Sequence, residues 1–134
     1  MPISVSKTVG GQAHAPVFVG EILASDVVNV VVTALSTAEV DTKGFLKPGV
    51  PFSKAGALVG AAVPVYGVTI ESIKVAASNS AADIAAAAAA VPVAVGTIGT
   101  VNRDIAEDNL GRVYTAAEIA GFDLAGSKLH LTRT

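Results

Sequence analysis

The sequence predicts a β-rich α+β fold, barrel-like or sandwich-like, in a single domain with two short helices and an extended N-terminal arm. Residues 27–33 (Val-Val-Asn-Val-Val-Val-Thr) are dense in β-branched side chains, whose restricted χ1 suits a pleated, buried surface. Several further short segments alternate apolar and polar residues between turn signals. Helical signals occur only twice and do not alternate regularly with strands, so the pattern is not that of βαβ units.

The elements follow in chain order. Residues 1–15 carry alternating Ile3 and Val5, small polar residues and Gly10-Gly11, with too few large side chains to pack independently. They read as an arm with a glycine hinge, and equally as a frayed terminus or a first strand paired within its own domain. Residues 16–134 form the β-rich domain. After the strand at 27–33, Pro48-Gly49 sits between the apolar pairs Phe45-Leu46 and Pro51-Phe52 and predicts a tight turn. Tyr66, Val68 and Ile70 share one parity while Ile73 and Val75 share the other, so a turn or bulge belongs near Glu71-Ser72.

Ser80 and Asp83 have the spacing of a helix cap, and the alanine run 85–90 then predicts a short helix that Pro92 interrupts; the alternative is a low-complexity surface loop. Val91, Val93 and Val95 alternate into a β-compatible stretch ending at Asn102, which reads as one long strand kinked at Gly96 and Gly99. Thr115 and Glu118 form a second capping pattern, with a short helix over 116–120 that Gly121 can end. Residues 128–132 close the chain as a strand with Leu129 and Leu131 inward.

Composition narrows the functional classes. Hydrophobic residues make up 51% of the 134 but aromatics only 4%, so the core is built from small aliphatic pieces. The absence of cysteine removes disulfides, thiol nucleophiles and thiolate metal sites. Nine scattered basic residues against eleven acidic ones give a net charge of −2 and no polyanion-binding surface, which argues against direct nucleic-acid contact. The first seven residues lack the charged head and apolar stretch of a signal peptide, so export by that route is not expected. The longest apolar run, 85–95, is too short to span a bilayer, and no membrane association is expected.

Catalytic chemistry has little to build on. His14 and His130 are the only histidines, one in the arm and one on the polar parity of the last strand, and both read as surface residues. Asp104, Glu107 and Asp108 could be imagined around a divalent cation, but their spacing is not that of an EF-hand, and a solvated loop with Arg103 and Arg112 nearby is the preferred reading. Gly10-Gly11 and residues 96–99 continue into neither a phosphate-binding loop nor a dinucleotide fingerprint. No serine lies in a nucleophile elbow. The expectation is a protein with no catalytic residues, no cofactor and no metal.

The succession Gly44-Phe45-Leu46-Lys47-Pro48-Gly49-Val50-Pro51, Val65-Tyr66-Gly67-Val68-Thr69, Val91-Pro92-Val93-Ala94-Val95 and Gly99-Thr100-Val101-Asn102 resembles bacteriophage head decoration proteins of the lambda type, the capsid cement proteins. The resemblance runs from Gly44 to Arg103; the alanine run 85–90 departs from it, and residues 17–42 have no clear counterpart. It implies that 16–134 is a decoration domain that forms a homotrimer on the outer face of an icosahedral head and stabilises the shell without catalysis. It also implies the major capsid protein as partner, a place on the virion after assembly in the host cytoplasm, and an arm that orders on the shell. Extended arms can add a strand to an exposed sheet edge, with Ile3, Val5 and Val9 as the capsid-binding side chains.

Two other readings use the same residues. A tail-tube or other self-assembling virion subunit would also be β-rich, cysteine-free and self-associating. A β-barrel with a valine-lined interior could hold a small apolar ligand.

Overall fold

The computed structural model describes residues 14–132 and contains a β-rich α+β domain. β1 (Phe18–Val31) leads through a 3₁₀ turn at Val32–Ala34 to β2 (Phe45–Leu46), β3 (Pro51–Phe52), β4 (Gly67–Thr69) and β5 (Ile73–Lys74). Helix α1 (Ala81–Ala85), strand β6 (Ala90–Asn102), helices α2 (Arg103–Leu110) and α3 (Ala116–Phe122), and strand β7 (Lys128–Thr132) complete it.

β6 organises the main sheet. Along one edge it pairs antiparallel with β1, from Phe18 opposite Val101 to Val31 opposite Ala90. It also pairs antiparallel with β4, through Val68 opposite Gly96, and parallel with β7, from Ile98 opposite Lys128 to Asn102 opposite Thr132. The main order is β1-β6-β4-β3, and β2 pairs with β5 in a separate two-stranded sheet. The sheet stays open, because β1 and β3 at its ends do not pair with each other, so the fold is not a closed barrel.

Packing follows the alternation of the long strands. Val28, Val30 and Val93, Val95 turn inward, while Val27, Asn29, Val31 and Ala90, Pro92, Ala94 turn to solvent. Phe52 and Leu46 are the largest fully buried side chains, and the others include Val30, Val65, Val95 and Val101. This is the core of small pieces that the aromatic-poor composition predicts. The Pro48-Gly49 turn forms as expected, but its flanks enter different sheets. Thr69 fixes that turn from within: its hydroxyl donates to Lys47 O at 2.8 Å and accepts from Val50 N at 2.9 Å.

The helices depart from expectation in three ways. Ser80 does cap α1, accepting from Asp83 N, but the helix ends at Ala85 and the rest of the alanine run leads into β6. High helix propensity there yields to the pairing of Ala90 with Val31. The 103–110 segment is a helix rather than a solvated loop, capped by Asn102, whose side chain accepts from Ile105 N. Gly121 lies inside α3 instead of ending it, and the helix runs on to Phe122; the glycine lets the helix approach the chain at Val63, where a Cβ would stand 2.8 Å from Val63 O. Among the described residues no helix is long and apolar enough to cross a membrane.

Candidate functional site: a buried ion cluster and an exposed sheet face

Two features stand out by their chemistry. The first is a set of charges withdrawn from water where the 36–47 segment meets α2 and α3. Thr115 and Glu118 form a complete capping box at the start of α3: the Thr115 hydroxyl accepts from Glu118 N at 3.1 Å, and Glu118 Oε1 accepts from Thr115 N at 2.8 Å. The same carboxylate takes a bidentate pair from Arg112, with Nη1 at 2.8 Å and Nη2 at 3.0 Å. Arg112 Nη2 also reaches Glu39 Oε2 at 3.5 Å, and Glu39 Oε1 accepts from both Ser36 N and Ser36 Oγ. Glu39 and Glu118 are only 4% and 3% exposed. Their proximity, Glu118 first, raises the Arg112 pKa above its ordinary value, so the guanidinium stays charged.

Beside this pair, Glu107 turns inward from α2, where its Oε2 accepts from Arg103 Nε at 2.9 Å and from Tyr114 N at 2.7 Å. Burial, reinforced by Glu118 and Glu107, pushes the Tyr114 phenol far above its ordinary pKa. It therefore remains a donor, and it gives its proton to Gly49 O at 2.7 Å. The bidentate and capping contacts make the cluster a clamp between segments distant in sequence. Its carboxylates are engaged by donors from the chain itself, which is the arrangement of a structural network.

The second feature is the solvent side of the β1–β6 ribbon. Val19, Leu23, Val27 and Val31 are exposed along β1, with Leu23 at 69% and Val27 at 60%. Their neighbours across the ribbon are small and uncharged, with Val27 opposite Ala94, Asn29 opposite Pro92 and Val31 opposite Ala90. The register slips twice, between Val19 and Ala24 and again between Ala24 and Ser25, and Leu23 lies in the first of these irregular stretches.

The outer edge of β1 is closed near this face. Val31 N donates to Gly56 O at 3.0 Å, so the 53–57 turn occupies the place where another strand would pair. Asp26 accepts from the Tyr66 hydroxyl and from Val27 N, and Lys54 Nζ lies 5.7 Å from the Tyr66 ring centre. Covering an edge in this way prevents uncontrolled strand addition.

This tether has a defined pH window. The Asp26 carboxyl is held below its ordinary 3.8, first by the Tyr66 hydroxyl and then by Val27 N–H. The Tyr66 phenol is raised above its ordinary 10.0, chiefly by its hydrogen bond to Asp26. A lowered acid pKa stabilises the fold fully above 3.8 and loses that contribution as pH falls through the folded value; a raised phenol pKa contributes fully below 10.0 and fades as pH rises through its folded value. The difference in urea midpoint between wild type and Tyr66→Phe is therefore expected to be constant around neutrality and to shrink in both strong acid and strong base. A difference that persists unchanged into acid would show that the effect of Tyr66 does not come from its bond to the ionised Asp26.

The residues singled out in the sequence fall as follows. Asp104 and Asp108 are exposed on α2 while Glu107 is buried, so the three do not converge, and no metal-binding group of histidine and acidic residues occurs among the described residues. His14 precedes β1. His130 is exposed on β7 and borders a cleft of about 310 Å³ with Arg103, Phe122 and Thr132. Ile3, Val5 and Val9 lie outside the described residues. The Glu39–Arg112–Glu118 cluster was not found by sequence reasoning; only its Thr115-Glu118 half carries a local signature. No protein-family model, curated protein or solved structure matches this chain.

Proposed function

We propose that this chain is a structural virion protein that binds the outer surface of a phage capsid as a trimer and stabilises the shell without catalysis. The observation that carries the reading is the row of exposed apolar side chains Val19, Leu23, Val27 and Val31 along β1, beside a sheet edge that the Gly56 turn covers at Val31. A protein that works by covering a surface needs such a face. Its buried charges hold the fold together and do not converge on a pocket. Binding to the assembled shell would lower the free energy of that state relative to a ruptured one by linkage alone. The open sheet has no lumen of the kind required by the apolar-ligand barrel reading.

The test is to mix the purified protein with phage heads that lack decoration. Saturable binding to the outer face, together with greater resistance of the heads to heat or chelators, is the expected result; absence of binding refutes the proposal. Within the same reading, removal of residues 1–13 is expected to leave the melting temperature nearly unchanged and to weaken head binding. Val5→Asp should act in the same direction, since an unpaired carboxylate pressed against the shell costs several kcal/mol while one in water costs almost nothing. Wild-type attachment by both variants would remove the arm from the mechanism.

A further inference from the structure

We propose that the cleft between the end of α3 and the outer edge of β7 binds a small apolar zwitterion, a free amino acid or a dipeptide, with Arg103 holding its carboxylate and Asp123 its ammonium. This site stands apart from the capsid-binding role and needs no part of it.

The walls fix where the cleft runs. Leu129, His130, Leu131 and Thr132 all line it. Successive strand residues point to opposite faces, so a cleft bordered by four in a row follows the strand's edge. β6 occupies one edge of β7, and among the described residues no strand occupies the other. An edge of this kind presents unpaired main-chain N–H and C=O groups to a ligand. Ile119 and Phe122 of α3 add apolar wall.

The charges on the cleft are of both signs and come from different elements. Arg103 opens α2, and Glu107 Oε2 takes its Nε at 2.9 Å. That contact steadies the guanidinium and leaves its Nη hydrogens without a partner among the described residues. Asp123 is exposed at the C-cap of α3, and its carboxylate has no partner among the described residues either. The end of a helix carries its negative pole, where a cation is the stabilising choice and a carboxylate is not. Such a placement costs stability, as a residue retained for binding does. A simple anion would gain from Arg103 and be repelled by Asp123, and a simple cation would meet the reverse. A ligand carrying both charges satisfies both, and the planar fork of the guanidinium matches a carboxylate.

Size narrows the class further. The cleft holds about 310 Å³, at the small end of the roughly 300–1,000 Å³ of ligand pockets, which suits one or two residues rather than a nucleotide or a lipid. Apolar walls select an apolar side chain. Since the cleft is open to solvent along the strand, affinity is expected to be millimolar.

An amide NMR titration of the full-length chain with leucine and with leucyl-leucine tests this. Saturable shifts at Arg103, Asp123 and His130 are expected. Leucinamide, which lacks the carboxylate, and isocaproate, which lacks the ammonium, should each bind about tenfold more weakly or worse, the value of one charged hydrogen bond. Asp123→Asn should weaken leucine binding by a similar factor, bind isocaproate no worse than wild type does, and melt no lower than wild type, because it relieves the helix end. Arg103→Gln should also lose leucine; as Arg103 pairs with Glu107, its melting temperature is taken alongside, and Asp123→Asn decides if that variant melts early. Tighter binding of the dipeptide than of leucine would support the proposal and name peptide ends as the ligand, and the reverse would name the free amino acid. Absence of saturable shifts with both ligands overturns the proposal. So do shifts confined to other residues, equal binding of leucine, leucinamide and isocaproate, or wild-type leucine binding by Asp123→Asn.

Discussion

An Arg112→Ala variant is expected to lose about 3 kcal/mol of stability, read as a lower urea midpoint at neutral pH with little change in slope. Breaking a buried ion pair from one side costs about 3–5 kcal/mol, since the partner charge is left without compensation in a poorly solvated place. Here two carboxylates, Glu39 and Glu118, would be stranded at once. The guanidinium itself is partly open to water, which places the cost near the lower end of that range. Arg112→Lys should recover only part of the loss, because a single ammonium cannot reproduce the bidentate grip on Glu118. Adding Glu39→Gln to Arg112→Ala should cost less than the two changes made separately, the sign of direct coupling. A midpoint within experimental error of wild type for Arg112→Ala would mean that the cluster does not clamp the 36–47 segment to α3.

Gly56→Ala is expected to cost a similar amount, about 3 kcal/mol, for a different reason. Gly56 has φ +84°, and a Cβ added there would stand 1.8 Å from Asn29 O, a backbone atom that cannot swing aside. Strained backbone of this kind costs of order 1–3 kcal/mol, and the displaced turn would also lose the Val31 N to Gly56 O hydrogen bond, worth about 1 kcal/mol. Thermal unfolding gives the magnitude, and amide exchange at Val31 gives the location. Faster exchange at Val31 with a lowered melting temperature is the expected pair of results. Unchanged exchange at that amide would show that the turn does not seal the edge of β1.

What could be read from the sequence was local. Ser80 with Asp83 and Thr115 with Glu118 act across three residues, and both caps form as their spacing predicts. The valine-rich strand was legible for the same reason, although β1 extends further toward the N-terminus than residues 27–33. Helix α2 also carried local signals, with Asn102 at its start and Gly111 just past Leu110, but the acidic residues Asp104, Glu107 and Asp108 suggested a loop. The separation of Asp104 and Asp108 from Glu107 becomes visible only once they are placed on a helix with Ala106 and Leu110 buried. Other features depend on distant partners. Glu39 meets Arg112 across 73 positions, and nothing in the neighbourhood of either residue signals the contact. The parallel pairing of β7 with β6 and the closure of the β1 edge by Gly56 are likewise products of the assembled fold.

The pairing of β1 with β6 also has a consequence during synthesis. The last residue of β1 and its partner Ala90 are separated by about 60 residues, which a ribosome adding roughly 5–20 residues per second takes about 3–12 s to make. For that interval the nascent chain carries Val27, Val28, Val30 and Val31 without the strand that will pair with them. Such a run, β-prone and free of proline, is the kind of segment that pairs with a neighbouring chain on the same message. Asn29 is the polar residue that interrupts it, and Asp26 flanks it. Each polypeptide therefore has to pass through a vulnerable period before β6 emerges, and expression slow enough to keep nascent chains apart should favour soluble product over aggregate.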